Sequence, residues 1–215
     1  MNKIRLYIAV LLLFIMAGCK KDEFENGNGI IAWGDSLTKG INKNESYPAN
    51  LQRLSSTAVL NKGVGGASST SILANMNANK RYLKSPAIIW AGRNNYKHPD
   101  QVKEDIAAMI SLLGHQHYLI LSIINKDIDG ERKGEQYYDV INQLNNYLKE
   151  TYGDHYVDVR SYLVASYDSN NAADKTNFDD DVPPASLRID ALHLSAVGYA
   201  LVAKKVYENL NLLTK

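Results

Sequence analysis

The chain has 215 residues, 45% of them hydrophobic and 22% charged, the make-up of an ordinary globular protein. A formal net charge of +1 gives no basis for nucleic-acid binding or for attachment to a membrane through a polybasic surface. A single cysteine leaves no intrachain disulfide, so an apolar core has to hold the fold.

Residues 1–19 read as a targeting segment rather than as part of the fold. Lys3 and Arg5 give a positive start, and residues 6–17 are almost wholly apolar. That run is well short of the ~20 residues a membrane span needs. It ends at Ala17-Gly18-Cys19, two small residues before the lone cysteine. The junction resembles the lipobox of bacterial lipoproteins, with Met16 where Leu is usual. The resemblance implies that Cys19 is lipidated and becomes the mature N-terminus. It places the protein in the cell envelope, at the outer membrane, periplasmic or surface-exposed. Residues 20–29 are polar and rich in Gly and Asn, the composition of a flexible tether. Within them Lys21-Asp22-Glu23 resembles the surface-export signal of some Gram-negative lipoproteins and equally a solvated charge run.

Residues 30–215 have the size of one domain and show no internal repeat. Short apolar runs predict strands over 30–33, 58–60, 87–90, 118–124 and 156–159. Amphipathic stretches predict helices over 48–54, 70–77, 99–113, 136–151 and 196–210. The third helix repeats Val102, Ile106, Met109, Ile110 and Leu113 on one face, and the fourth repeats Tyr137, Ile141, Leu144 and Leu148. Strand–helix alternation of this kind predicts an α/β fold of about five parallel strands with helices on both faces. Residues 167–184, polar and holding Asp179-Asp180-Asp181 and Pro183-Pro184, read as a long loop.

Chemistry-bearing residues follow the strands. Gly34-Asp35-Ser36-Leu37-Thr38 follows the first, Gly65-Gly66 the second, and Gly92-Arg93-Asn94-Asn95 the third. In an open parallel sheet, ligands bind outside the carboxyl ends of the strands at the topological switch point, so these three segments converge there. Asp190 and His193 precede the last helix, three apart, close enough for the carboxylate to orient the imidazole. Serine, histidine and aspartate are the parts that make a hydroxyl nucleophilic toward an ester carbonyl. Ser36 is the candidate nucleophile, His193 the base and Asp190 its orienter. Backbone N–H groups near Ser36 and Gly66, with the Asn94 amide, are candidate donors to the oxyanion.

With these four segments in order, the chain resembles an SGNH hydrolase of the GDSL esterase/lipase superfamily. Gly34 to Thr38 matches the first block and Asn61-Lys62-Gly63-Val64-Gly65-Gly66 the second, with Gly66 the first choice for the oxyanion glycine and Gly65 the outside choice. Gly92-Arg93-Asn94-Asn95 matches the third block, although Asn95 stands where the family usually carries Asp. Asp190-x-x-His193 matches the last. The resemblance implies a three-layer, flavodoxin-like fold, no metal and no organic cofactor. It leads us to expect that Asn95→Asp is tolerated. Asp35, Gly65, Arg93 and Arg188 flank these positions and are secondary candidates for substrate contact. His115-Gln116-His117 lacks a third metal ligand, and Asp179 to Asp181 reads as a solvated loop rather than a calcium site.

The expected activity is cleavage of carboxylic esters through an acyl-enzyme, with O-deacetylation of a poly- or oligosaccharide first. A lipase, lysophospholipase or thioesterase is the alternative within enzymes. A glycan-binding surface lipoprotein without catalysis is the alternative outside them. The sequence leaves the acyl-chain length, the alcohol and the oligomeric state open.

Overall fold

The computed structural model describes Phe24 and residues 27–213. Cys19 and the targeting segment lie outside the described residues. Five parallel strands form one sheet in the order β2-β1-β3-β4-β5: β1 (Ile30–Gly34), β2 (Val59–Gly63), β3 (Ala87–Trp90), β4 (Tyr118–Leu121) and β5 (Tyr156–Val157). The chain leaves β1 for β2 on one side and then crosses back to β3 on the other. The switch point therefore falls between β1 and β3, and their carboxyl ends open the crevice there.

Period-two alternation divides each central strand between two cores. Ile30 and Ala32, Ile88 and Trp90, and Leu119 and Leu121 face one. Ile31 and Trp33, Ala87 and Ile89, and Tyr118 and Ile120 face the other. Helices α2 (Tyr47–Ser55), α6 (Val159–Ala165) and α8 (Ala196–Tyr207) cover the first face through Leu51, Leu163 and Val202. Helices α3 (Ser69–Ala78), α4 (Pro99–Leu113) and α5 (Gln136–Tyr152) cover the second through Ile72, Ile106 and Leu144. Because both faces of the sheet are covered, its strands read in sequence as unbroken apolar runs.

Side-chain caps set several helix starts. Ser46 accepts from the N–H of Ala49 at α2, Ser68 from Ser71 at α3, and Ser195 from Gly198 at α8.

The structure departs from the sequence reading in several places. Residues 122–124 and 158–159 do not extend β4 and β5. Val159 instead opens α6, whose start is fixed by Asp158 accepting from the N–H of Ser161, so a local cap overrides a β-branched apolar run. The polar stretch read as a loop contains α7 (Ala172–Asp179), capped by Asn171. Its inward positions are Asp174 and Asn177, which hydrogen-bond rather than pack, so no apolar periodicity announces it. The serine after β1 opens a one-turn helix, α1 (Ser36–Lys39), and α8 stops at Tyr207 rather than at 210. Among the described residues, no helix is long and apolar enough to cross a membrane.

Candidate active site

Ser36 stands at the first position of α1, directly beyond the carboxyl end of β1. Asp35 makes that turn: its Oδ1 accepts from the N–H of Leu37 at 2.8 Å, capping the helix. Gly34 lets the turn close, because a Cβ there would collide with Thr38 Oγ1 and with the Trp90 carbonyl. The result is a half-buried serine at the mouth of the sheet.

His193 Nε2 lies 3.0 Å from Ser36 Oγ, and His193 Nδ1 lies 2.7 Å from Asp190 Oδ2. The two bonds assign the imidazole: Nδ1–H faces the carboxylate and Nε2 faces the hydroxyl as an acceptor. The other oxygen of Asp190 accepts from the backbone N–H groups of Leu192 and His193, both at 2.7 Å. Burial alone pushes the Asp190 carboxyl up, but these two N–H groups and the His193 side chain outweigh it and hold it at about 2. Asp190 is thus an anion throughout the neutral range. The imidazole stays about two-fifths exposed, so the site opens to solvent.

The two neighbouring loops bring up the remaining segments. Gly65 and Gly66 follow β2 and are exposed, and Gly66 adopts φ +72, a left-handed conformation that a side chain would strain. Asn94 follows β3, with its Nδ2 donating to the Ala67 carbonyl at 3.0 Å and to Asp35 Oδ2 at 3.2 Å. Both amide protons are engaged, one by the glycine loop and one by the residue before the serine. Asn94 thereby ties the three strand-end segments together.

Three residues read from the sequence as substrate contacts are placed elsewhere. Asp35 is 1% exposed and turned inward onto Leu37 and Asn94. Burial raises its carboxyl to about 6 against the opposing pull of the Leu37 N–H and the charges of Arg93 and His193. Arg93 is 4% exposed and donates to the Ile124 carbonyl at 3.1 Å and to Glu131 at 2.6 Å. Arg188 spends its guanidinium on Pro183, Asp190, Asp127 and Asn177. Gly65, the fourth candidate, remains at the surface beside Gly66.

The motifs set aside in the sequence are used structurally. His115 Nε2 lies 3.0 Å from the Leu83 carbonyl oxygen, and Asp181 pairs with Arg160 at 2.8 Å.

Sequence reasoning missed the supports of this site. Glu131, 1% exposed, gathers Arg93, the Tyr96 hydroxyl at 2.7 Å and the Lys126 N–H at 2.7 Å, locking the loop after β4 against the loop after β3. Burial raises the Glu131 carboxyl, but Arg93 and the other donors more than offset this and hold it below its ordinary value. Asp127 receives Arg132 and Arg188 and gives its own N–H to the Ala191 carbonyl, bracing the Asp190 turn. These partners lie tens of residues apart, and no local pattern marks them.

The fold is shared with several solved structures. It superposes on a lipase/acylhydrolase from Enterococcus faecalis with a TM-score of 0.65 at 20% identity, covering 85% of this chain and 95% of that one. A member of the lipolytic protein G-D-S-L family from Veillonella parvula gives 0.63 at 19% identity, covering 84% and 96%. An acetyl xylan esterase gives 0.64 at 18% identity, covering 84% and 98%. None of the curated proteins matches the sequence. A profile of the GDSL-like Lipase/Acylhydrolase family matches residues 32–201, from β1 through the Asp190–His193 turn and into α8. The chain therefore belongs to the GDSL-like lipase/acylhydrolase family of ester hydrolases.

Proposed function

We propose that the protein removes acetyl groups from a poly- or oligosaccharide through a serine acyl-enzyme. The observation that carries this reading is the hydrogen-bonded series Ser36–His193–Asp190, open at the surface beside the exposed Gly66 and Asn94. Ser36 Oγ attacks the ester carbonyl carbon while His193 Nε2 takes its proton. The oxyanion settles between backbone N–H groups near Ser36 and Gly66 and the Asn94 amide. To serve it, Asn94 gives up the longer of its two bonds, the one to Asp35. His193 then gives the proton to the leaving sugar oxygen as its bond to the acyl carbon breaks, and water repeats the sequence on the acyl-enzyme. Asp190 holds the Nδ1–H tautomer and stabilises the imidazolium. An open site admits an ester carried on a bulky alcohol, and small acyl groups need no long channel. One of the structural relatives is itself an acetyl xylan esterase.

A second reading has its own support. Val64, beside Gly65, is 49% exposed, and Ile189, beside Asp190, is 59% exposed. Aliphatic side chains on both segments flanking the serine would suit a longer acyl chain. Acetate release from acetylated xylan and pectin, run beside p-nitrophenyl esters of increasing chain length, separates the two. Preference for acetyl supports deacetylation, and a maximum at eight or more carbons, by order of magnitude a lipid acyl chain, overturns it. Binding of the glycan without release of acetate would instead favour the non-catalytic reading.

The lipid anchor at Cys19 is part of the same proposal. Full-length protein should partition with membranes and incorporate labelled palmitate, and Cys19→Ala should do neither. Wild-type protein found soluble, with another mature N-terminus, would reduce the segment to an ordinary secretion signal.

A further inference from the structure

We propose that Asp105, on α4 and outside every sequence motif, is a positioning residue for the oxyanion loops, and that its carboxylate makes an amide necessary at position 95. The inference rests on the reading of Gly66 and Asn94 as oxyanion donors. The glycine loop ends where α3 begins, at Ser69. From the opposite loop Asn95 grips that first turn twice. Its Oδ1 accepts from the Ser69 N–H at 3.0 Å, and its Nδ2 donates to Ser69 Oγ at 2.8 Å. Together with the bond from Asn94 to the Ala67 carbonyl, these close the two loops on each other.

The direction of each bond follows from proton count. A serine hydroxyl has one proton to donate. That of Ser69 goes to Asp105 Oδ2 at 2.5 Å, an oxygen that also accepts from the Thr70 hydroxyl at 2.7 Å. Gln101 Nε2 donates to the other oxygen of Asp105 at 3.0 Å. With its proton committed, Ser69 Oγ can only accept from position 95, so that position must present a donor. Asparagine does, and an aspartate cannot. Ser69 is fully buried, Asp105 is 4% exposed, and among the described residues no cation pairs with Asp105. A second carboxylate at 95 would face Asp105 across one hydroxyl with no countercharge, which is unfavourable at low dielectric. The expectation that Asn95→Asp is tolerated is thereby reversed: the family's usual residue is the wrong one in this chain because Asp105 already supplies the carboxylate.

The same geometry predicts its own rescue. In the double variant Asn95→Asp/Asp105→Asn, the amide introduced at position 105 can donate to Ser69 Oγ. Ser69 can then donate to the carboxylate introduced at position 95. The relay runs in reverse; the exposed Thr70, which loses its acceptor, can accept the second amide proton and turn its own proton to solvent. The test is a double-mutant cycle on the purified protein, reading kcat and KM for p-nitrophenyl acetate together with Tm. Asn95→Asp should lower kcat about 10- to 100-fold with KM within about threefold, since a displaced donor acts on charge present only in the transition state. It should also lower Tm, and the double variant should recover most of both. A double variant no better than Asn95→Asp, or an Asn95→Asp protein indistinguishable from wild type, overturns the proposal. If Asn95→Asp does not fold, a folded double variant supports the relay and an unfolded one refutes it. If wild-type protein fails to hydrolyse the ester, the functional reading falls and takes the positioning role with it, while the Tm cycle still decides whether Asp105 and Asn95 are coupled.

Discussion

Arg188 donates from Nη1 to the backbone carbonyl of Asp190 at 2.9 Å. The same guanidinium reaches Asp127 and Asn177 at 3.0 Å and the Pro183 carbonyl at 2.7 Å. The turn that carries the acid of the Ser36–His193–Asp190 series is therefore anchored by a planar fork with four acceptors. A lysine ammonium cannot reproduce that fork. Arg188→Lys should lower kcat about 10- to 100-fold with little change in KM, because misplacing the acid misorients His193 without touching substrate. Steady-state kinetics decides it: wild-type kcat in the variant would mean that Asp190 holds its place without Arg188.

Ser36→Ala and His193→Ala should each lower kcat by about 10⁶-fold, since members of one nucleophilic unit are not additive. Labelling by a fluorophosphonate should disappear in Ser36→Ala. Full labelling of that variant would place the nucleophile at another serine.

Asn94→Ala should cost about 10²- to 10³-fold in kcat, the usual loss for one oxyanion donor. It also frees Asp35 and the Ala67 carbonyl from their shared partner. If KM alone rises, Asn94 holds the ground state rather than the transition state, and the oxyanion assignment fails.

Asp35 makes stability depend on pH in a window set by its own titration. Its carboxyl is raised by burial from 3.8 to about 6, so the folded state holds the proton more tightly than the unfolded chain does. The stabilisation is complete below 3.8 and is lost as pH rises through about 6. Its size is about 3 kcal/mol. Asp190 has the opposite sign: its carboxyl is lowered to about 2, so its contribution is present above 3.8 and fades as pH falls toward 2. Urea denaturation across pH 4 to 7 should show stability falling over that range in wild type and a flatter profile in Asp35→Asn. An unchanged slope in the variant would assign the titration to another group.

Glu131→Gln should destabilise the protein by about 3–5 kcal/mol, because it leaves the Arg93 guanidinium buried without its counterion. The same change loosens the loop after β4 from the loop that carries Asn94. Chemical denaturation measures the first effect. A loss under about 1 kcal/mol, as for an exposed pair, would mean that water reaches Arg93.

Much of this protein is written locally. Apolar runs such as Ile30 to Trp33 and Ala87 to Trp90 read as strands covered on both faces, and the spacing of Val102, Ile106 and Met109 reads as one face of a helix. Ser36, Gly66, Asn94, Asp190 and His193 are legible because each falls in a short segment whose chemistry or conformation is set by its neighbours in the chain. Tertiary structure alone decided the rest. Arg93 and Arg188 look like exposed cations in sequence, yet folding sets each against carboxylates tens of residues away, Glu131 and Asp127. Helix α7 carries no apolar signal because its inward side chains hydrogen-bond instead of packing, and α6 is masked because its cap outweighs its β-branched residues. Whether Asn95 is a defect or a requirement depends on a carboxylate ten residues on, brought to Ser69 by the packing of α4 against α3. Periodicity and local motifs report what a residue does with its near neighbours; burial of charge and the direction of a hydrogen bond are set by partners that only the folded chain supplies.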